Sequence, residues 1–182
     1  MFKRFFKKKE FNMSIREKEI SLIEIKKQAE TYYENGDYYC SEAVLKTIKD
    51  AFKSNYDDSI IGLASGFPMG LGGSGCTCGA ISGGSMAISM FFGRKGPGDS
   101  TVKQSMKLTR NLYKDFIEKY ETTCCKSLRE NSRKNGINSR KHCIEITGEV
   151  AVMVAKILAK ELDYKIIEEI WYNFHERWKN EG

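Results

Sequence analysis

The chain has 182 residues, 41% apolar and 12% aromatic, enough to bury one sizeable core, so a single domain over residues 14–182 is expected behind a short basic tail at residues 1–13. The formal charge is +6, but five of the 30 basic residues are Lys3, Arg4, Lys7, Lys8 and Lys9, which leaves 25 against 24 acidic residues from Glu10 onward. So neutral a body lacks the basic footprint of a nucleic-acid binder, no segment reaches the roughly 18 apolar residues of a membrane span, and no signal-peptide core follows the basic start, so the chain reads as cytoplasmic.

From Met1 to Phe11, Lys and Arg alternate with Phe2, Phe5, Phe6 and Phe11. This tail reads as a disordered basic extension, with weak contact to an anionic membrane surface as the alternative and Met13 as a second candidate start. From Ile15 to Tyr33 the residues Ile20, Leu22, Ile23, Ile25, Ala29 and Tyr33 recur at helical spacing, and Gly36 is placed to stop that helix. Asp37 offers a cap for a second helix with Ala43, Val44, Ile48, Ala51 and Phe52 on its buried face and Cys40 at or just before its first turn. Asp57, Asp58 and Ser59 start a shorter third helix through Leu63, which stops near Gly66 ahead of Pro68.

A glycine-dense loop, Gly70-Leu71-Gly72-Gly73-Ser74-Gly75-Cys76-Thr77-Cys78-Gly79-Ala80, runs into Ile81 to Phe92, where small and bulky residues alternate at three- and four-residue spacings. That pattern predicts a buried central helix approached closely by other backbones. After a turn at Gly93 to Gly98, Asp99 or Ser100 caps a long helix carrying Val102, Leu108, Leu112, Phe116 and Tyr120. Thr122 and Thr123 suit the cap of a short helix holding Cys124, Cys125 and Leu128, Asn131 to Asn138 reads as a polar connection, a further helix starts at Ser139, and a last one covers Tyr164 to Trp178. Met86, Met90, Met106 and Met153 fall on faces read as core. In the last helix Trp171, Phe174 and Trp178 form a stripe that packs on the first helix or on a second copy of the chain, which makes a homodimer an expectation, and His175 reads as a surface residue. No stretch alternates at period two. The fold class is all-α: a compact bundle of six to seven helices around a buried glycine-rich central helix.

Six cysteines in a reducing compartment read as metal ligands or reactive thiols, with disulfides left open by the even count. In this element order Cys40, Cys78, Cys124, Cys125 and Cys143 each sit within about the first turn of a helix, where unpaired amide protons and the helix dipole favour a thiolate. The glycines before Cys78 would let several amides point at one anionic centre. A nucleotide loop does not fit, because no strand precedes the glycines and no lysine of the phosphate-binding kind follows. His142, beside Cys143, is a candidate ligand whose bland alternative is an exposed residue of Arg140-Lys141-His142. Neither a serine nucleophile elbow nor a His-Glu-x-x-His is present, so hydrolase chemistry has no support.

The segments Cys40-Ser41-Glu42-Ala43-Val44, Gly75-Cys76-Thr77-Cys78-Gly79-Ala80-Ile81-Ser82-Gly83 and Cys124-Cys125-Lys126-Ser127-Leu128, followed by Cys143, together resemble the redox-active C_GCAxxG_C_C proteins named for their cysteine pattern. The central element reads Cys-Gly-Ala-x-x-Gly, its first two letters in the opposite order to the name, and is aligned on Cys78. At the third position Cys125 is preferred and Cys124 is the alternative. The resemblance implies a helical protein with four key cysteines and extends to the cysteine domain of split-Soret cytochromes, where an iron–sulfur centre is associated with such a domain. Without a Cys-x-x-Cys-His, covalent haem is not expected.

The expectation is an iron–sulfur cluster for electron transfer on Cys40, Cys78, Cys125 and Cys143, with Cys76, Cys124 and His142 as additional candidates and Gly75, Gly79 and Gly83 shaping the loop around it. Zinc is the lesser metal. The alternatives are thiol–disulfide exchange or redox sensing by Cys78 with a resolving cysteine, and a structural helical protein with buried free cysteines. Substrate and redox partner are not legible.

Overall fold

The computed structural model describes residues 18–167. In order these form strand β1 (Glu19–Ile20), helices α1 (Leu22–Asn35) and α2 (Cys40–Ala51), a 3-10 helix (Asp58–Ala64), helices α3 (Gly79–Phe92), α4 (Val102–Tyr120), α5 (Cys125–Lys134) and α6 (Ser139–Leu162), and strand β2 (Lys165–Ile166). The all-α expectation holds. The basic tail and the aromatic stripe Trp171, Phe174 and Trp178, with His175, lie outside the described residues.

Local chemistry explains most boundaries. Ser21 accepts the Glu24 amide at 3.1 Å to start α1, and Gly36 ends it with φ +82°, a left-handed turn that costs glycine little. The α2 start differs from expectation: Glu42 Oε2 accepts the Tyr39 amide at 2.9 Å, which supplies the cap assigned to Asp37. Asp57 caps the 3-10 helix through the Ser59 amide, Thr122 accepts the Cys124 amide ahead of α5, and Asn138 Oδ1 accepts the Arg140 and Lys141 amides to open α6.

Helix α3 is the centre of the bundle and packs against α2, α4 and α6. Its buried residues are Gly79, Ala80, Ile81, Gly83, Gly84, Ala87 and Ile88, and the small ones determine how near the neighbours come. A Cβ on Gly83 would collide with the Ser41 carbonyl of α2, and one on Gly84 would stand 2.9 Å from Leu112 Cδ2 of α4 and 3.0 Å from Val154 Cγ2 of α6. Ser41 also ties α2 to the 3-10 helix, donating its hydroxyl to the Ala64 carbonyl at 2.9 Å. Around this crossing Val44, Leu45, Ile48, Leu112, Phe116, Ile146, Val150, Val154 and Leu158 close the core.

Three expectations need correction. Glu19–Ile20 and Lys165–Ile166, assigned to the first and last helices, pair as a parallel two-stranded ribbon with Ile20 opposite Ile166, and the Lys165 amide donates to the Lys18 carbonyl at 2.7 Å. That pairing joins the two ends of the described chain, and helical spacing within either segment carries no trace of it. Helix α5 continues to Lys134, which shortens the polar connection. Ile23, Leu63 and Met106 are 68%, 69% and 60% exposed and belong to no core face. Among the described residues no helix is long and apolar enough to cross a membrane.

The crossing predicts a sharp packing penalty. Gly83→Ala should lower unfolding stability by about 1–3 kcal/mol, read as a lower urea midpoint with an unchanged m-value; an unchanged midpoint would mean that α2 and α3 separate freely.

Candidate redox site

Four helices each deliver one cysteine to the same place. Cys40 opens α2, Cys78 is the N-cap of α3, Cys125 opens α5, and Cys143 lies one turn into α6. All four line a single cavity of about 120 Å³, together with Tyr33, Met69 and Arg129. Cys40, Cys78 and Cys125 are 9%, 7% and 7% exposed, and Cys143 is half-buried.

The glycine loop brings them together differently from expectation. Its amides do not point at a common centre, because those of Leu71, Gly73, Ser74, Gly75 and Cys76 donate to the carbonyls of Phe67, Pro68, Leu71, Met69 and Gly70. The loop is folded on itself and stitched to the start of α5. Thr77 and Cys124 form an antiparallel bridge, flanked by bonds from the Cys78 amide to the Thr123 carbonyl at 2.7 Å and from the Cys125 amide to the Cys76 carbonyl at 2.6 Å. The amides that favour charge on sulfur are those of Met69, Ser41 and Cys40 itself for Cys40, and of Ala80 and Ile81, at the start of α3, for Cys78. Gly79 is required here, since a Cβ would stand 2.6 Å from Cys40 Sγ. Gly83 serves the helix crossing described above, and Gly75 receives the Lys126 amide and the Cys124 thiol on its carbonyl.

Burial overrides the helix starts electrostatically. It pushes the Cys78, Cys40 and Cys125 thiols up, and Cys143 up to about 11, with neighbouring thiolates adding to the rise. The expectation of thiolates at these helix starts is therefore corrected for the cavity cysteines: desolvation outweighs the amide protons. Cys124 is the exception. Half-buried at the mouth of α5, it is held below the ordinary thiol range by the Ser127 hydroxyl and amide. Arg129 lowers both Cys125 and Cys143.

The remaining candidates stand apart. Cys76 is exposed, Cys124 and His142 do not line the cysteine cavity, and His142 instead faces Tyr120, ring to ring at 6.1 Å. All six cysteines are free thiols, and among the described residues no group of three or more His, Cys, Asp or Glu is placed to hold a metal ion. Arg129, Tyr33 and Met69 were missed as cavity residues. Arg129 carries a weak signal, since it follows Cys125 by four residues on one helix; Tyr33 reads as core, and Met69 has no sequence signal.

A family model described as "Putative redox-active protein (C_GCAxxG_C_C)" matches residues 38–157. The chain belongs to that family. No curated protein and no solved structure matches the chain. The C_GCAxxG_C_C match contains all four cavity cysteines, and the pattern itself names four cysteine positions. Cys76 and Cys124, the two that the cavity leaves out, are thus also surplus to the C_GCAxxG_C_C pattern as aligned on Cys78 and Cys125.

Two measurements on metal-free protein follow from the electrostatics. Iodoacetamide at pH 8, mapped by mass spectrometry, should label Cys124 and Cys76 first and Cys78 last; rapid labelling of Cys78 would contradict its burial. A thiol raised on folding loses its proton first in the unfolded chain, so the Cys143 contribution to stability is complete below its ordinary value of 9.0 and is lost as pH rises through about 11. The urea midpoint should accordingly fall across that window.

Proposed function

We propose that this C_GCAxxG_C_C protein transfers electrons through an iron–sulfur cluster held by Cys40, Cys78, Cys125 and Cys143. The carrying observation is that four cysteines from four separate helices line one small cavity. The donor set fits in kind, since four thiols are what [2Fe–2S] and [4Fe–4S] centres require. A single zinc ion needs four sulfurs about 2.3 Å from one point; among the described residues no group of three or more His, Cys, Asp or Glu is drawn together for a metal ion of either kind, so the four thiols would have to close on whichever centre binds. A cluster divides its ligands over several irons and so suits thiols arranged around a space. When bound, it supplies reversible one-electron chemistry.

The protein's own groups would do the rest. Each of the four thiols gives up its proton on ligation, which their burial makes unfavourable without the metal's charge. The Met69, Ala80 and Ile81 amides would favour negative charge on Cys40 and Cys78, and Arg129 would do the same for Cys125 and Cys143. Leu128, Ala80 and Ile146 in the cavity wall restrict water.

A second reading, thiol–disulfide exchange, draws support from Cys124, whose half-buried and lowered thiol suits the attacking role better than buried Cys78 does. Protein purified without oxygen separates the two. Broad absorption near about 400 nm with iron and acid-labile sulfide is expected for the cluster, lost in Cys78→Ser and retained in Cys76→Ser and Cys124→Ser. Equal loss of iron in Cys76→Ser would overturn the ligand assignment, and a colourless, metal-free protein that gains two thiols on reduction would favour exchange.

A further inference from the structure

A second cleft, of about 250 Å³, lies outside the cysteine cavity and shares three of its wall residues, Met69, Cys125 and Arg129. One of its walls is the Gly73-Ser74-Gly75 turn, and the other is a face of α5 bearing Lys126, Arg129 and Arg133 against the single carboxylate Glu130. These cations follow i, i+3, i+7 spacing and so share one side of the helix over about 10 Å, at ~1.5 Å per residue. Among the described residues no ion pair engages any of the three, and what sets them apart from other unpaired cations is that they line one concave cleft together. Arg133 makes a neutral contact, donating Nε to Ser139 Oγ at 3.2 Å.

Cations left unneutralised in a concave site beside a buried centre raise the local concentration of anions. The amides of the opposite wall are already used, those of Gly73 and Gly75 donating to Pro68 and Met69, so recognition falls to side-chain charge and not to a backbone phosphate nest. The cleft is smaller than the roughly 300–1,000 Å³ of drug-sized pockets, which suits a compact ligand. Separated cations demand more than one negative group on it.

From this arrangement we infer that the cleft between α5 and the 73–75 turn binds a compact polyanion, bearing carboxylate or phosphate groups, against Lys126, Arg129 and Arg133 and next to Cys125. The site needs only the cleft and goes beyond the cluster reading. Arg129 lines both cavities, so the bound anion would sit against the same residue that borders the cysteines.

Calorimetric titration of the full chain at low salt, with pyrophosphate and separately with citrate, tests this. One saturable equivalent is expected, with Kd weakened roughly tenfold or more in the double variant Lys126→Gln/Arg133→Gln as charge-assisted bonds are lost. The matched pair Lys103→Gln/Lys107→Gln on α4 should leave Kd unchanged. Binding of pyrophosphate alone would identify a phosphate ligand, of citrate alone a carboxylate one, and of both the shared chemistry. No saturable binding of either anion, binding insensitive to the α5 variants, or equal weakening by the α4 pair would overturn the assignment. Iron measured on the same samples keeps the two readings separable: iron-free protein that binds anions refutes only the cluster, and cluster-bearing protein that ignores them refutes only this site.

Discussion

The approach of α2 to α3 is the constraint from which the site follows. Where the two helices cross, Gly79 and Gly83 stand against Cys40 Sγ and the Ser41 backbone, with no space for even one methyl group. The starts of two helices therefore meet, and with them Cys40 and Cys78. Any side chain at Gly79 would push sulfur away from sulfur, and one at Gly83 would open the core through which α3 also touches α4 and α6. Packing and site geometry are thus one problem solved by the same glycines.

The second half of the site depends on a backbone stitch. The Thr77 and Cys124 bridge ties the loop before α3 to the loop before α5, so that Cys125 enters the cavity while its neighbour Cys124 remains at the surface. Adjacent cysteines consequently have opposite chemistry. Burial makes Cys125 a poor acid, and hydrogen bonding at the helix mouth makes Cys124 a better one. The cavity favours neutral thiols until something positive enters.

The charge pattern outside the cavity complements this. Three cations of α5 share one cleft with a single carboxylate, and one of them forms part of both cavities. The near neutrality of the chain beyond its tail hides this local imbalance, because a sum over the sequence does not register position.

By itself the sequence determined the helical class, the order of the helices, the buried central helix and the four cysteines of the family pattern, because helical periodicity, caps and glycine stops are local signals that act within a few residues. It also placed Cys40, Cys78 and Cys125 at helix starts. Tertiary structure alone decided the β1–β2 ribbon, the inward folding of the glycine loop, the separation of Cys124 from Cys125, the displacement of His142 from the cysteines and the admission of Arg129, Tyr33 and Met69 to the cavity. Each of these depends on contacts between segments far apart in the chain, and desolvation, which reversed the expected acidity of the cavity thiols, exists only once the helices have closed around them.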